Sequence, residues 1–418
     1  MQVKSLIQKL LKNRERNYLL FSQILGAFIG IVYGKMVAIY FPVEEFGTFN
    51  LYYGIYYFFF SIFFSPLLQF LKVSNSHLES MGHVNILKMV AVFLLANILF
   101  LFLIFKIKYN ISTPLLILIN VFFIGNFLFN LYTDYFNLNN QIKLFSTANI
   151  LKNLFLVITL MIFIFWFKQE VNGLKVLWMS QFAGFSLVVI IFFRKYNWFL
   201  KTNSETFKVF FKRFFIYSSP LIVLAFWTWV NTYTDRYIIE YFLDEKSVGL
   251  YNANLGLGSK FFLLFYPFFT TLLSPLVFNE SVSIREKKQA INRYAKIYIG
   301  IAFLFLIFVL VFLNLIGNLL LSNQYKEGFY IIFGGAVGYF ILTLGYFFEL
   351  IFYAHHKTKM ILYANIISGI MSFIFNIIFI NVFGLKGVLI GFILAVLCKL
   401  YFLHKNYKKL SNEIPNVL

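Results

Sequence analysis

Charge is what this sequence has least of. Only 12% of its 418 residues are charged, where a soluble domain carries about 25%. Acidic residues are the scarcest: 16 Asp and Glu stand against 36 Lys and Arg, for a formal net charge of +20. With a hydrophobic share of 61% and a mean hydropathy of +0.79, this excludes an ordinary soluble globular domain. The single cysteine, Cys398, excludes an intrachain disulfide and fits no metal site. A membrane β-barrel needs strands that alternate polar and apolar residues, and runs such as VAVFLLANILFLFLIF do not alternate. A Walker motif, a Ser-His-Asp set and a glycine-rich phosphate loop between strand and helix are all missing. No catalytic residue or cofactor is therefore assigned, and a transporter rather than an enzyme is expected. His355 and His356 are neighbours in a basic turn. Adjacent helical side chains diverge by about 100°, so no metal site is assigned there either.

What is present is hydrophobic length. A helix needs roughly 20 apolar residues to cross a bilayer, and the sequence predicts spans near 18–40, 49–71, 84–106, 113–136, 144–167, 174–193, 214–240, 249–278, 294–316, 329–354, 360–381 and 387–403. The expected fold is an all-α polytopic membrane protein of twelve transmembrane helices. An even number places both termini on one side, and Lys and Arg mark the cytoplasmic side. Lys4, Lys9, Lys12, Arg14 and Arg16 lie at the N-terminus; Arg194, Lys195, Lys201, Lys208, Lys212 and Arg213 follow span 6. Arg285, Lys287, Lys288, Arg293 and Lys296 follow span 8, and Lys405, Lys408 and Lys409 lie in the tail. All fall on one side, which makes both termini cytoplasmic. This distribution accounts for the net charge without a nucleic-acid partner. The basic, amphipathic N-terminus lacks a small-residue cleavage site and reads as a retained cytoplasmic helix.

The chain also repeats. GKMVAIYF (34–41) matches DRYIIEYF (235–242), and PVEEFGTFN matches LDEKSVGLYN, pairing Gly47 with Gly249 and Asn50 with Asn252. Pro66 and Pro267 follow in both; STANI (146–150) matches LYANI (362–366), and NGLK (172–175) matches FGLK (383–386). Each copy has six spans, so both enter the membrane in the same direction. This is a parallel repeat about an axis along the membrane normal. The expected organisation is an N-terminal segment (1–17), an N-lobe (18–195), a linker (196–213), a C-lobe (214–404) and a tail (405–418).

Ionisable residues inside spans are costly and usually face a cavity. Lys35 and Arg236 occupy equivalent positions in spans 1 and 7, each six residues before the shared phenylalanine, Phe41 or Phe242. That depth is about 9 Å at 1.5 Å per residue. Across a cleft, two such cations would attract an anionic group such as phosphate; alternatively both snorkel to the interface. Glu240 shares a helical face with Arg236 and could hold its guanidinium. Asp235 points to a neighbouring face, toward Asn231, and a structural role suits it. Lys260 shares a face with Asn252 and Gly256, where a cation beside a glycine suggests close approach of a ligand, or else an internal salt bridge. Lys152, Asp134 and Glu349 are weaker gating or coupling candidates, and Lys399 reads as a snorkelling lysine. Trp227, Trp229 and Tyr233 could stack on sugar rings, although an interfacial aromatic belt is the default. Ser22, Gly26, Gly30 and Gly34 form a small-residue packing stripe.

In length, in its 6+6 repeat, and in FPVEEFGTFN and TDRYIIEYFLDEKSVGLYN, the chain resembles the Wzx-type polysaccharide flippases of the multidrug/oligosaccharidyl-lipid/polysaccharide exporter superfamily. The resemblance implies translocation of undecaprenyl-pyrophosphate-linked sugar units (O-antigen, capsule or exopolysaccharide) from the cytoplasmic to the periplasmic leaflet of a bacterial inner membrane. It also implies alternating access through a basic central cavity, which Lys35, Arg236 and Lys260 would line. Such an activity would be coupled to H+ or Na+ and would meet polymerase and chain-length machinery. Superfamily members that export cationic drugs favour acidic cavities instead.

Overall fold

The computed structural model describes residues 14–73, 83–166, 173–193 and 206–410. Much of the expected N-terminal segment, most of the linker at 196–213 and the end of the tail lie outside these residues. Among the described residues there is no strand, and twelve helices are long and apolar enough to cross a membrane. They are α1 (Arg14–Tyr40), α2 (Val43–Val73), α3 (His83–Ile107), α4 (Thr113–Leu138), α5 (Ile142–Trp166) and α6 (Gly173–Phe192). The second six are α7 (Phe207–Phe242), α8 (Glu245–Val277), α9 (Ile284–Val311), α10 (Phe329–Ala354), α11 (Thr358–Phe383) and α12 (Leu385–Lys409). All twelve expected spans are present. A short helix (Leu313–Leu320) and a 3-10 turn (Asn323–Gly328) join α9 to α10.

Local chemistry explains the boundaries. Asp244 caps α8 by accepting the Ser247 N–H, and Ser283 with Glu286 forms a capping box at the start of α9; both satisfy otherwise orphaned N–H groups. The two prolines singled out by the repeat act differently. Pro66 follows a π-helical turn, Phe60–Phe64, in which the Ser65 N–H reaches back to the Phe60 carbonyl, the kind of local widening that bends helices. Pro267 sits inside a continuous α8. Between α11 and α12, Gly384 adopts φ 57° and ψ −137°, a conformation open essentially to glycine alone. This is why a glycine stands in the FGLK turn.

The helices form two compact units, and the division falls within helices rather than at connections. The first unit holds Met1–Met36 and Tyr52–Phe226; the second holds Val37–Leu51 and Trp227–Leu418. In the first, Phe129, Tyr132 and Phe136 of α4 pack on Ala148 of α5 and on Val188, Val189 and Phe192 of α6. In the second, α8, α9, α10 and α12 bury Phe262, Phe269, Tyr298, Phe347 and Leu403. Most large apolar side chains on α3, on the outer face of α5 and on α9 are exposed, as expected for helices whose solvent is lipid.

Candidate functional site

The charged residues inside the spans fall into two groups, those held in a close ion pair and those held mainly by neutral groups. Glu349 on α10 and Lys399 on α12 are both buried, with the ammonium 3.0 Å from a carboxylate oxygen. Lys399 also donates to Asn365 Oδ1 at 2.9 Å and lies 5.1 Å from the centre of the Tyr346 ring. Lys399 therefore does not snorkel: a carboxylate within reach on the adjacent helix compensates its charge in place. In the first unit, Lys72 on α2 and Asp134 on α4 pair at 2.7 Å and are roughly one-quarter exposed. Asp134 and Glu349, at nearly equivalent positions of the repeat, each carry a lysine partner, but Lys72 on α2 and Lys399 on α12 are not on repeat-related helices.

In the second group, Arg236 and Lys260 form no ion pair within 4 Å among the described residues, although Arg236 is near enough to the buried Asp235 carboxylate to act on it electrostatically. Arg236 on α7 donates from Nε to Asn252 Oδ1 at 2.5 Å and from a terminal nitrogen to the Thr232 carbonyl at 2.8 Å. Its guanidinium lies 4.2 Å over the Tyr233 ring. All three contacts are to neutral groups. Glu240 is not among them, although it is one turn away on α7. Asn252 reaches the guanidinium first because α8 runs alongside, and its own Nδ2 is anchored to the Val248 carbonyl at 2.9 Å. Asn252 was identified in the sequence as a neighbour of Lys260, not as the group that aims Arg236. Asp235 is buried and accepts the Arg236 backbone N–H at 2.9 Å, with the Tyr251 hydroxyl nearby. Its carboxylate also lies within electrostatic reach of Arg236.

Lys260 lies two turns beyond Asn252 on α8, about 12 Å along the axis at 1.5 Å per residue. It is partly buried and makes no hydrogen bond or ion pair with a described residue. Gly256, between Asn252 and Lys260 on the same face, opens onto space: a Cβ there would meet nothing within 4 Å. Asn252, Gly256 and Lys260 thus form a strip with an oriented guanidinium at one end, an unpaired ammonium at the other and a gap between. Lys152 on α5 lacks an acid too, but it sits 5.4 and 5.3 Å from the centres of the Phe129 and Phe185 rings, whose faces attract a cation. Lys35 is partly buried on α1 and belongs to the first unit, whereas Arg236 and Lys260 belong to the second. Trp229 stacks on Tyr233 at 6.3 Å and contacts Tyr237 at 5.7 Å. It thereby extends the aromatic surface under the guanidinium, and Trp227 packs on Gly369 of α11.

A polar network that the sequence did not reveal lies beside this strip. A cavity of about 90 Å³ is lined by Asn231, Thr232, Tyr339, Asn365, Ser368 and Lys399, among others. Asn231 Nδ2 donates to the Asn365 carbonyl at 2.8 Å, so α7 and α11 are joined at its wall. Asn231 and Asn365 were legible only as isolated amides in apolar runs.

The described residues thus form a bundle of twelve membrane-length helices with a basic strip on α7 and α8. A family profile described as polysaccharide biosynthesis protein matches residues 14–277, and the chain belongs to that family, within the multidrug/oligosaccharidyl-lipid/polysaccharide exporter superfamily. Comparison with curated proteins gives no match. Among solved structures the chain resembles the lipid II flippase MurJ in an inward closed conformation, with a TM-score of 0.73 and 16% identity over 94% of this chain and 87% of that one. It also resembles an inward-facing multidrug resistance MATE family transporter, with a TM-score of 0.63 and 15% identity over 96% of both chains. An outward-facing form of a MATE family transporter gives 0.60 at 14% identity, over 96% of this chain and 98% of that one. At these identities the likeness is one of fold.

Proposed function

We propose that the chain flips an undecaprenyl-pyrophosphate-linked oligosaccharide, a repeat unit of O-antigen, capsule or exopolysaccharide, from the cytoplasmic to the periplasmic leaflet of a bacterial inner membrane. The observation that carries the reading is the basic strip of Arg236 and Lys260 around Gly256, which holds no close ion pair among the described residues. Anionic phosphate is drawn to both cations. The Arg236 donors not engaged by Asn252 and Thr232 can take phosphate oxygens, and a fork with two hydrogen bonds already made loses little freedom on binding. Lys35, the repeat mate of Arg236, is a further cation inside a span, within the first unit. The family match to polysaccharide biosynthesis proteins and the fold shared with a lipid II flippase support the same substrate class. Cytoplasmic termini follow from the lysine and arginine distribution. A drug antiporter of MATE type shares the fold, but a strip led by Arg236 and Lys260 disfavours a cationic drug.

Deleting the gene tests the reading. Lipid-linked repeat units should still be assembled and should accumulate on the cytoplasmic leaflet. If they reach the periplasm and fail only to polymerise, the flippase reading is wrong and a polymerase or ligase role takes its place.

A further inference from the structure

Among the described residues two lysines are buried, Lys287 at 4% and Lys399 at 5% exposure. Lys399 has Glu349 beside it. Lys287 makes no hydrogen bond or ion pair with a described residue. Its place adds to the cost of the charge. It lies in the first turn of α9, which begins at Ile284, and the positive end of a helix dipole disfavours a cation there. The acid of that turn, Glu286, is turned back onto Ser283 in the capping box. The neighbouring Lys288 is occupied elsewhere. Its ammonium lies 4.7 Å from the centre of the Tyr407 ring and donates to the Lys408 carbonyl at 3.5 Å, and the Tyr407 hydroxyl donates to the Lys288 carbonyl at 3.1 Å. These contacts fasten α9 to α12 and do nothing for Lys287.

On the α10 side, Lys287 is near enough to His355 to act on it electrostatically. His355 ends α10, and the chain turns through His356 at φ 55°. The N–H groups of His356 and Lys357 return to the Tyr353 and Phe352 carbonyls at 3.1 and 2.8 Å. This Schellman pattern takes up two of the carbonyls that a nearby ammonium would otherwise use. The His355 Nε2 is buried and has no hydrogen-bond partner. Burial first, and then the charges of Lys287, Lys357 and His356, hold its imidazole below the ordinary range. A buried ammonium and a buried ring nitrogen therefore lie together among cations, although buried polar groups are normally satisfied.

We propose that Lys287 and His355 form a phosphate site, and that its occupant is the headgroup phosphate of an anionic phospholipid in the leaflet on the basic side of the membrane. An ammonium and an imidazole N–H both donate to phosphate oxygens in charge-assisted bonds. The phosphate supplies the negative charge that the neighbouring side chains do not, and it suits the positive end of α9. Lipid is favoured over a soluble anion by position. His355 directly follows one membrane-length helix and Lys287 opens another, and basic groups just outside a span attract anionic lipid. An apolar surface for acyl chains adjoins the turn: Tyr353 on α10 and Tyr363 on α11 are 44% and 49% exposed. A lipid bound here ties the start of α9 to the α10–α11 turn. The proposal does not depend on which substrate the chain moves.

The test is thermal unfolding of the purified full-length protein in a neutral detergent at physiological salt, with phosphatidylglycerol, phosphatidylcholine or inorganic phosphate added. Apparent affinity is read from the concentration dependence of the shift. Phosphatidylglycerol should raise the melting temperature of the parent and phosphatidylcholine should not. Lys287→Met should melt above the parent without lipid, because it removes a buried cation that lacks a counter-ion. It should also bind phosphatidylglycerol about tenfold more weakly, the effect of losing one hydrogen bond to a charged group. His355→Phe should weaken the lipid by a similar factor, and it serves if Lys287→Met fails to fold. Arg285→Gln, exposed in the same turn, should cost less than about threefold, because salt screens exposed charges. Equal shifts with phosphatidylglycerol and phosphatidylcholine overturn the proposal. So does a Lys287→Met variant that melts below the parent without lipid or keeps its lipid affinity, or an Arg285→Gln loss as large as that of Lys287→Met. If inorganic phosphate or a penta-glutamate peptide stabilises the parent as well as phosphatidylglycerol at equal concentration, the occupant is a soluble anion or an acidic protein segment, and the lipid assignment is wrong.

Discussion

Replacing Glu349 by glutamine should be among the most destabilising single changes in the second unit. Its side chain and that of Lys399 are 9% and 7% exposed, so neither charge is solvated by bulk water. Without the carboxylate, Lys399 keeps the Asn365 amide oxygen and the Tyr346 ring, both neutral, and its ammonium is left uncompensated. Breaking a buried pair from one side costs about 3–5 kcal/mol. Lys399→Met strands the carboxylate instead and should cost a similar amount. The double variant Glu349→Gln, Lys399→Met removes both charges together; replacing a buried pair by uncharged groups of similar volume is often neutral or stabilising by about 1–4 kcal/mol. The single variants should therefore each be damaging and the double variant should recover most of the loss. The assay is thermal unfolding of purified protein in one detergent, followed by tryptophan fluorescence and paired with abundance in the membrane. Single variants that melt with the parent, or a double variant that loses the sum of the single effects, would refute the reasoning.

Other outcomes follow from the same geometry. Asp134→Asn should cost less than about 1 kcal/mol, because the Lys72–Asp134 pair is partly solvated and such pairs contribute little; thermal unfolding distinguishes it from Glu349→Gln. Gly384→Ala should destabilise by about 1–3 kcal/mol, the usual cost of a strained backbone conformation, and lower abundance without altering substrate selectivity. Arg236→Ala and Lys35→Ala should each reduce surface polysaccharide while protein levels stay near normal, and Arg236→Lys should retain part of the activity, since a point charge attracts phosphate without the planar fork. Asn252→Leu should lower transport while the arginine is intact, because Arg236 loses the acceptor that aims it; unaltered transport would show that Asn252 only packs.

Helix number and the internal repeat were legible because both rest on long-range regularities, apolar length and matched turns. The shared glycines at 47 and 249 proved to be the most informative match, since their meaning is steric: a Cβ on Gly47 would overlap the Glu245 carbonyl, and a Cβ on Gly249 would overlap the Val43 carbonyl. Side-chain pairing was far less legible. A helical wheel suggested Glu240 for Arg236, yet the acceptor is Asn252 on the next helix. The same kind of reasoning sent Lys399 to the interface, whereas Glu349, fifty residues away in sequence, holds it inside. Both errors arise because periodicity relates residues on one helix and is blind to the face another helix presents. The network of Asn231, Asn365 and Lys399 was hidden for the same reason: an amide in an apolar run carries no sign of its partner until two helices meet.

The most direct test of the central claim is translocation in proteoliposomes. The purified chain is reconstituted with a pyrophosphate-linked oligosaccharide on a polyprenyl tail, and the share reaching the opposite leaflet is measured with a membrane-impermeant lectin or glycosidase. The parent should move the lipid-linked sugar, and the Arg236→Gln, Lys260→Gln variant, folded and equally incorporated, should not. Equal translocation by parent and double variant would contradict the assignment of the basic strip, and no translocation by an intact parent supplied with cognate substrate and either a proton or a sodium gradient would contradict the proposed function itself.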